Sequence, residues 1–367
     1  MVKSELTPAC GTCRPFLARL HAFLEAPEAA SYAGDLCRLI PSVTETINFT
    51  AEPSEETLRY LRAMADFCRG MYRYQTALSL YQTALALWKD GREASFPQET
   101  PYELYTELGK LYQRLAQYSE AIGAFRTAVG YTEEKSEKRA KAYRNLGEVF
   151  RKDSQYGQAL TYDQRALDIF RETADIAEAT NAIGVVYLNM GDAADSTEDR
   201  QTNYRLAKEH YEKALALWQE CDAPARQLAF SNHNIGTVHH RLGEYAEAEK
   251  YHRTGLRIRQ GNHLEKTDIA ASLVWLGKDC IALGRYDDAR DYIEQSMTIR
   301  KDILGENHPD YAWSLDSLSH WYEETGSPAK AVEIMEQVIA IRTAVLGANH
   351  QYTQQAVSRR EELRAKL

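Results

Sequence analysis

The feature that most limits how this chain can fold is a repeat with a period of about 40 residues. A small residue preceded by an apolar one recurs as Met64 and Ala65, Leu108 and Gly109, Leu146 and Gly147, Ile183 and Gly184, Ile235 and Gly236, Leu276 and Gly277, and Leu318 and Ser319. Twelve residues on stands alanine, at Ala77, Ala121, Ala159, Ala248, Ala289 and Ala331, with the fourth copy alone waiting 23 residues until Ala207. Seven further lie Ala84, Ala128, Ala166, Ala214, Gly255, Ser296 and Val338. A small residue in one helix lets the backbone of a second approach closely, and small residues seven apart mark one face of that partner. Each period therefore reads as a helical hairpin. One hairpin of this size cannot bury its apolar face alone, so stacked neighbours must share a core.

The connections support this reading. The pentapeptides LGENH (304–308) and LGANH (346–350) recur 42 residues apart. In each, a glycine (Gly305, Gly347) can end one helix, and Asn307-His308-Pro309 can begin the next, because proline suits the first helical turn. His308 and His350 then read as caps rather than metal ligands. Aromatic residues three after the small one, Tyr112, Phe150, Tyr187 and Tyr322, fill the space between the two helices.

From about residue 58 to 367 these residues resemble the tetratricopeptide repeat, and linkers such as LGENHPDYA resemble its long-repeat, kinesin-light-chain-like subgroup. The resemblance implies an all-α, right-handed superhelical solenoid of about seven hairpins over 58–350, with function carried by a concave groove lined by the first helix of each hairpin. Residues 1–57 break the period but keep helical spacing of apolar residues, as expected of a helical N-terminal cap, and 351–367 reads as a polar C-terminal capping helix. Ser319 and Val338 in the last repeat, and Asp163 and His252 where a bulky apolar residue is usual, are departures that predict looser packing there.

The fourth copy carries an insertion of eleven residues around 191–202, with Asp192, Asp195, Glu198 and Asp199. Calcium would need the ligand order and central glycine of an EF-hand loop, which are absent. The insertion reads as an acidic solvated loop or a helix extension, and it is expected to be mobile.

Composition removes several functions. A net charge of -9 argues against nucleic acid as the partner. No stretch approaches the run of about 18 apolar residues that spans a membrane, and no secretory signal opens the chain, so a cytoplasmic protein is expected. Six dispersed cysteines predict reduced thiols. Cys10 and Cys13 lack the further ligands zinc needs. No phosphate loop, HExxH or GxSxG motif occurs, so neither catalysis nor a cofactor is expected. The histidines 233, 239, 240 and 252 are the most enzyme-like group. His239 stands at the core aromatic place and is expected to be buried, with His233 and His240 on the neighbouring face, expected to be exposed toward the groove.

What remains is recognition of another protein through an extended or helical segment. On the expected groove face, Arg59, Arg62, Arg69, Lys110, Arg114, Lys141, Arg144, Arg151 and Lys152 stand against Asp66, Glu103, Glu107 and Glu148, the sign an acidic segment requires. In later repeats His233, Arg241 and Lys278 extend the set. Asn145, Asn181 and Asn234 stand where related repeats clamp a peptide backbone, since an amide both donates and accepts. Trp275 and Trp313 share a helix face and offer an apolar pocket. The expected function is a non-enzymatic scaffold for an acidic segment. Two alternatives remain: a peptide-responsive sensor, or the repeat region of a larger signalling ATPase or caspase-like protease.

Overall fold

The computed structural model describes residues 55–71, 73–90, 96–98 and 100–367, together with residues 22 and 40. Among these residues there are fifteen α-helices and no strand. The chain divides into two compact units, Met1–Phe170 and Arg171–Leu367.

The N-terminal unit contains three hairpins: α1 (Glu55–Gly70) with α2 (Tyr74–Asp90), α3 (Thr100–Arg114) with α4 (Tyr118–Gly130), and α5 (Glu137–Lys152) with α6 (Tyr156–Ile169). The C-terminal unit contains four: α7 (Thr173–Ala193) with α8 (Thr197–Glu220), α9 (Ala225–Arg241) with α10 (Tyr245–Gly261), α11 (Lys266–Ala282) with α12 (Tyr286–Leu304), and α13 (Pro309–Glu324) with α14 (Pro328–Leu346). Helix α15 (Gln351–Arg364) closes it, burying Ala356 and Leu363 against Leu315 and Met335. The seven expected hairpins and the capping helix are present. The proposed N-terminal cap, with Cys10 and Cys13, lies almost wholly outside the described residues. Ile40 alone shows packing, in one cluster with Leu58 and Leu61.

The small residues do what their spacing requires. A Cβ on Gly109 would stand 2.6 Å from Phe125, on Gly184 2.8 Å from Tyr211, on Gly236 2.7 Å from His252 and on Gly277 2.8 Å from Ile293. Overpacking of this kind costs about 1–3 kcal/mol. All seven alanines of the second helices, from Ala77 to Ala331, are fully buried. Between the two helices of five hairpins, one residue takes a left-handed backbone: Ala116, Ser154, Gly243, Gly284 and Gly326, at φ of 56°, 59°, 79°, 73° and 76°. Between hairpins, Gly305 and Gly347 take φ of 82° and 93°. His308 and His350 then cap the following helices, each Nδ1 accepting from a backbone N–H, at 3.1 and 3.2 Å.

The insertion is built as helix. It lengthens α7 to 21 residues and α8 to 24, leaving 194–196 as the connection. Ser196 caps α8 by accepting from the Asp199 N–H, and the Tyr204 hydroxyl donates to Asp192 at 2.7 Å. Of the two readings of the insertion, a solvated loop or a helix extension, the structure has the helix extension, with a three-residue turn between the helices.

The expected loosening in the last hairpin does not occur. Ser319 and Val338 are buried to 1% and 0% exposure, and the Ser319 hydroxyl donates to the Ala331 carbonyl at 2.8 Å.

Candidate functional site

In the N-terminal unit the first helices α1, α3 and α5 carry the basic candidates, but their acids stand beside them. Arg62 pairs with Glu103 at 2.7 Å, Arg69 with Asp66 and Glu107, and Lys110 with Glu107 at 2.7 Å. Arg151 grips Glu148 with two hydrogen bonds of 2.9 and 2.8 Å, and Lys152 reaches the same carboxylate. Lys141 pairs with Glu137 on its own helix. All four acids counted on this face are thus engaged by its cations. Arg144 lies near Asp163, whose pKa it lowers against the dominant effect of burial. Arg114 is exposed and Asn145 half-buried, and neither makes a hydrogen bond among the described residues.

Asp163 is the exceptional group of this unit. It packs on Gly147 at 2% exposure, where the preceding hairpin has Phe125, and its Oδ1 has no hydrogen-bond partner among the described residues. Burial pushes its pKa up to about 7. A carboxyl in so apolar a setting resists ionisation.

The C-terminal unit is arranged differently. Where α9, α10 and α11 meet, Asp279 is fully buried and accepts from two imidazoles: His240 Nδ1 at 2.8 Å on Oδ1, and His252 Nδ1 at 2.6 Å on Oδ2. The indole of Trp275 lies between them, its ring centroid 5.6 Å from that of His240, 5.5 Å from His252 and 6.0 Å from His233. Burial holds the His233 pKa well below the ordinary imidazole value. His239 is buried as expected, stacked on Tyr251 and bonded to Glu244. His233, His240 and His252 thus gather on Trp275 and Asp279, while His239 pairs with Glu244 instead, and nothing in the sequence marked Asp279 as part of the group.

Above this floor stands Lys278. Its ammonium lies 5.0 Å from the Trp275 ring centroid and 5.8 Å from that of Trp313, and it makes no hydrogen bond or ion pair among the described residues. Burial lowers its pKa, with Asp316 acting the other way. Lys278, Trp313, Arg241, Arg342 and Arg359 line a cavity of about 690 Å³ between α13 and the capping helix, joined by Asp310 and Asp316. The arginines of this wall are already engaged: Arg241 with Asp192 at 3.0 Å, Arg342 with Asp316 at 3.7 Å, Arg359 with Glu323 and Glu362. Among the described residues Lys278 is the cation of this wall without a carboxylate. On the same unit Asn234 donates to Asn181 at 3.0 Å, so these two amides hold each other.

One further polar group gathers on α13. His320, Glu323 and Glu324 bring a ring nitrogen and two carboxylate oxygens within 4.8 Å of one another. Glu323 is taken by Arg359 and Lys366, which makes the group an ion-pair network.

The sequence missed Asp279 and the role of Arg300 and Arg342. The latter had a signal, the dipeptide Ile-Arg at 258–259, 299–300 and 341–342.

Comparison with known proteins agrees with this architecture. Two family models described as "Tetratricopeptide repeat" match residues 106–175, and residues 196–261 with 268–344. The Arabidopsis thaliana protein "KINESIN LIGHT CHAIN-RELATED 2" is 23% identical over 347 residues, covering 92% of this chain and 50% of the relative. The related "KINESIN LIGHT CHAIN-RELATED 3" from the same plant is 21% identical, covering 74% and 41%. The chain thus spans about half the length, or less, of the curated relatives it matches. Among solved structures, the apo form of RapI matches with a TM-score of 0.57 at 17% identity, over 95% of this chain and 98% of that one. A Rap protein complexed with Competence and Sporulation Factor matches at 0.53 and 15% identity, over 95% and 96%. At this identity the likeness is one of fold.

Proposed function

We propose that this chain, which belongs to the tetratricopeptide repeat family, is a non-enzymatic scaffold that holds an acidic segment of a partner protein against its C-terminal unit. The observation that carries the reading is Lys278: a cation between two indoles, on the wall of a 690 Å³ cavity, with no carboxylate of its own among the described residues. A half-buried ammonium without a partner favours an incoming anion, and the flanking indoles offer apolar contact to the residues beside it.

The test begins with mass spectrometry of what co-purifies with the native chain, followed by binding of the segment mapped in that partner. An acidic segment whose affinity falls as salt rises from 50 to 300 mM supports the reading, since exposed charges are screened over about 8 Å at physiological salt. A basic segment, or binding indifferent to salt, contradicts it.

The Rap structure with its bound factor points to a second reading, a peptide-responsive regulator. Small-angle scattering separates the two. A regulator changes the dimensions of the chain on binding its segment; a passive scaffold does not.

A further inference from the structure

Arg259, Arg300 and Arg342 occupy the same place near the end of the second helix in three successive hairpins. Arg300 is 2% exposed, and its Nη1 donates to the Asp310 carbonyl at 2.9 Å and to the Ser314 hydroxyl at 2.8 Å. It ties its own hairpin to the first turn of the next. Arg342 Nη1 donates likewise to a carbonyl of the following helix, that of Tyr352, at 3.2 Å.

Arg259 is different. At 5% exposure it donates to the Ser272 hydroxyl, the counterpart of Ser314, but to no main-chain carbonyl among the described residues. Asp268, the counterpart of Asp310, favours its charge from beyond ion-pair distance, against the larger effect of burial. Among the described residues Ser272 is the one hydrogen-bond partner of this guanidinium, and its remaining donors, unlike the sealed Nε of Arg300, stay open to an incoming acceptor.

Arg259 lines a cavity of about 360 Å³ formed wholly within the C-terminal unit. Trp218, 8% exposed, and Phe230, 49% exposed, supply its apolar wall. Its charges cancel, Arg226 and Arg259 against Glu178 and Asp268, so a charged occupant gains little. The volume is at the small end of ligand pockets, enough for one large residue.

We propose that this cavity is a binding subsite for one uncharged, bulky apolar residue of an extended peptide. The main-chain carbonyl of that residue accepts from Arg259, as main-chain carbonyls accept from Arg300 and Arg342. Its side chain lies against Trp218 and Phe230. The inference rests on the C-terminal unit being a peptide holder and adds a second contact, at a site separate from Lys278 and indifferent to acidity.

The probe is a set of blocked pentapeptides, acetyl-Gly-Gly-X-Gly-Gly-amide with X as Leu, Phe, Asp or Lys, titrated into the full chain by ligand-detected NMR. The Leu and Phe peptides bind at least tenfold more tightly than the Asp and Lys peptides. Phe230→Ala, a change at an exposed position, lowers the Leu and Phe affinities about tenfold, Arg259→Gln lowers all four alike, and Lys278→Glu changes none. Equal affinity for all four peptides, or full retention in Phe230→Ala, overturns the subsite. If the co-purified partner still depends on Lys278 while the pentapeptides fail, the subsite falls and the scaffold reading stands. Indifference of both to their variants removes both.

Discussion

The two units use the same hairpin but treat charge in opposite ways. In the N-terminal unit every acid counted on the first-helix face engages a cation of that face, as Arg62 with Glu103 and Arg69 with Glu107. In the C-terminal unit Asp316 on the cavity wall and acids outside it, Asp192 and Glu323 among them, take the arginines and leave Lys278 between Trp275 and Trp313. Near the end of the second helix, the first four hairpins carry Trp88, Thr132, Phe170 and Trp218, where the last three carry arginine. The lesson is that an excess of basic residues on a face does not mark a site. A cation matters for recognition when the fold desolvates it and gives it no carboxylate.

The contrast extends to packing, where the largest effect is expected. Gly109 abuts Phe125, a ring that can shift, whereas Gly236 abuts His252, which Asp279 holds from below. Gly236→Leu must displace His252 and leave a buried carboxylate short of a partner, at a cost of about 5 kcal/mol, against about 1–3 kcal/mol for Gly109→Leu. Chemical denaturation of the two variants checks this; equal losses would mean that the histidine network adds no rigidity.

Next in size is a pH dependence that Asp163 gives the N-terminal unit. The folded pKa of Asp163, about 7, lies above the ordinary 3.8 of an unfolded aspartate. Between those values the folded chain holds a proton that the unfolded chain has released. This contribution to stability is full below pH 4 and is lost as pH rises to 7, a decline of up to about 4 kcal/mol. Asp163→Leu, which restores an apolar residue as in all the other hairpins but that of His252, should remove the decline and raise the melting temperature most at pH 8. A profile from pH 4 to 8 that is the same in Asp163→Leu as in the wild type would show that the carboxyl stays ionised in the fold.

A smaller effect separates the turns. The C-terminal unit places glycine at the left-handed position of three hairpins, and the N-terminal unit places Ala116 and Ser154 there. Ala116→Gly relieves strain at φ 56° but loosens the unfolded chain, for a net gain of about 0.5–1 kcal/mol. Gly284→Ala should lose a similar amount. Melting temperatures moving in the same direction for both would contradict the turn assignment.

How far the fold was legible follows from what is local. The small residues, the alanines at twelve and nineteen, and the Gly305 and Gly347 turns are set by spacing within one hairpin, and spacing is visible in a sequence. The partners that decide the site are not local. Asp279 reaches His240 across 39 residues, and Arg69 reaches Glu107 across 38, so the one stayed hidden and the other was counted as available charge. The dipeptide Ile-Arg was on view three times, but an arginine in a polar helix reads as solvated until its burial is known. The acidic insertion read equally as a loop or a helix extension; Ser196 as a cap and Tyr204 on Asp192 decide for helix.

The most direct measurement compares two charge reversals, Lys278→Glu and Lys110→Glu, in binding the co-purified partner across a salt series, with circular dichroism confirming intact helices. Lys278→Glu should weaken binding at least tenfold at 50 mM salt, about 1.4 kcal/mol, and flatten its salt dependence, while Lys110→Glu stays within twofold because its charge already belongs to Glu107. Equal losses in both variants, or full affinity in Lys278→Glu, would contradict the placement of recognition on the C-terminal unit.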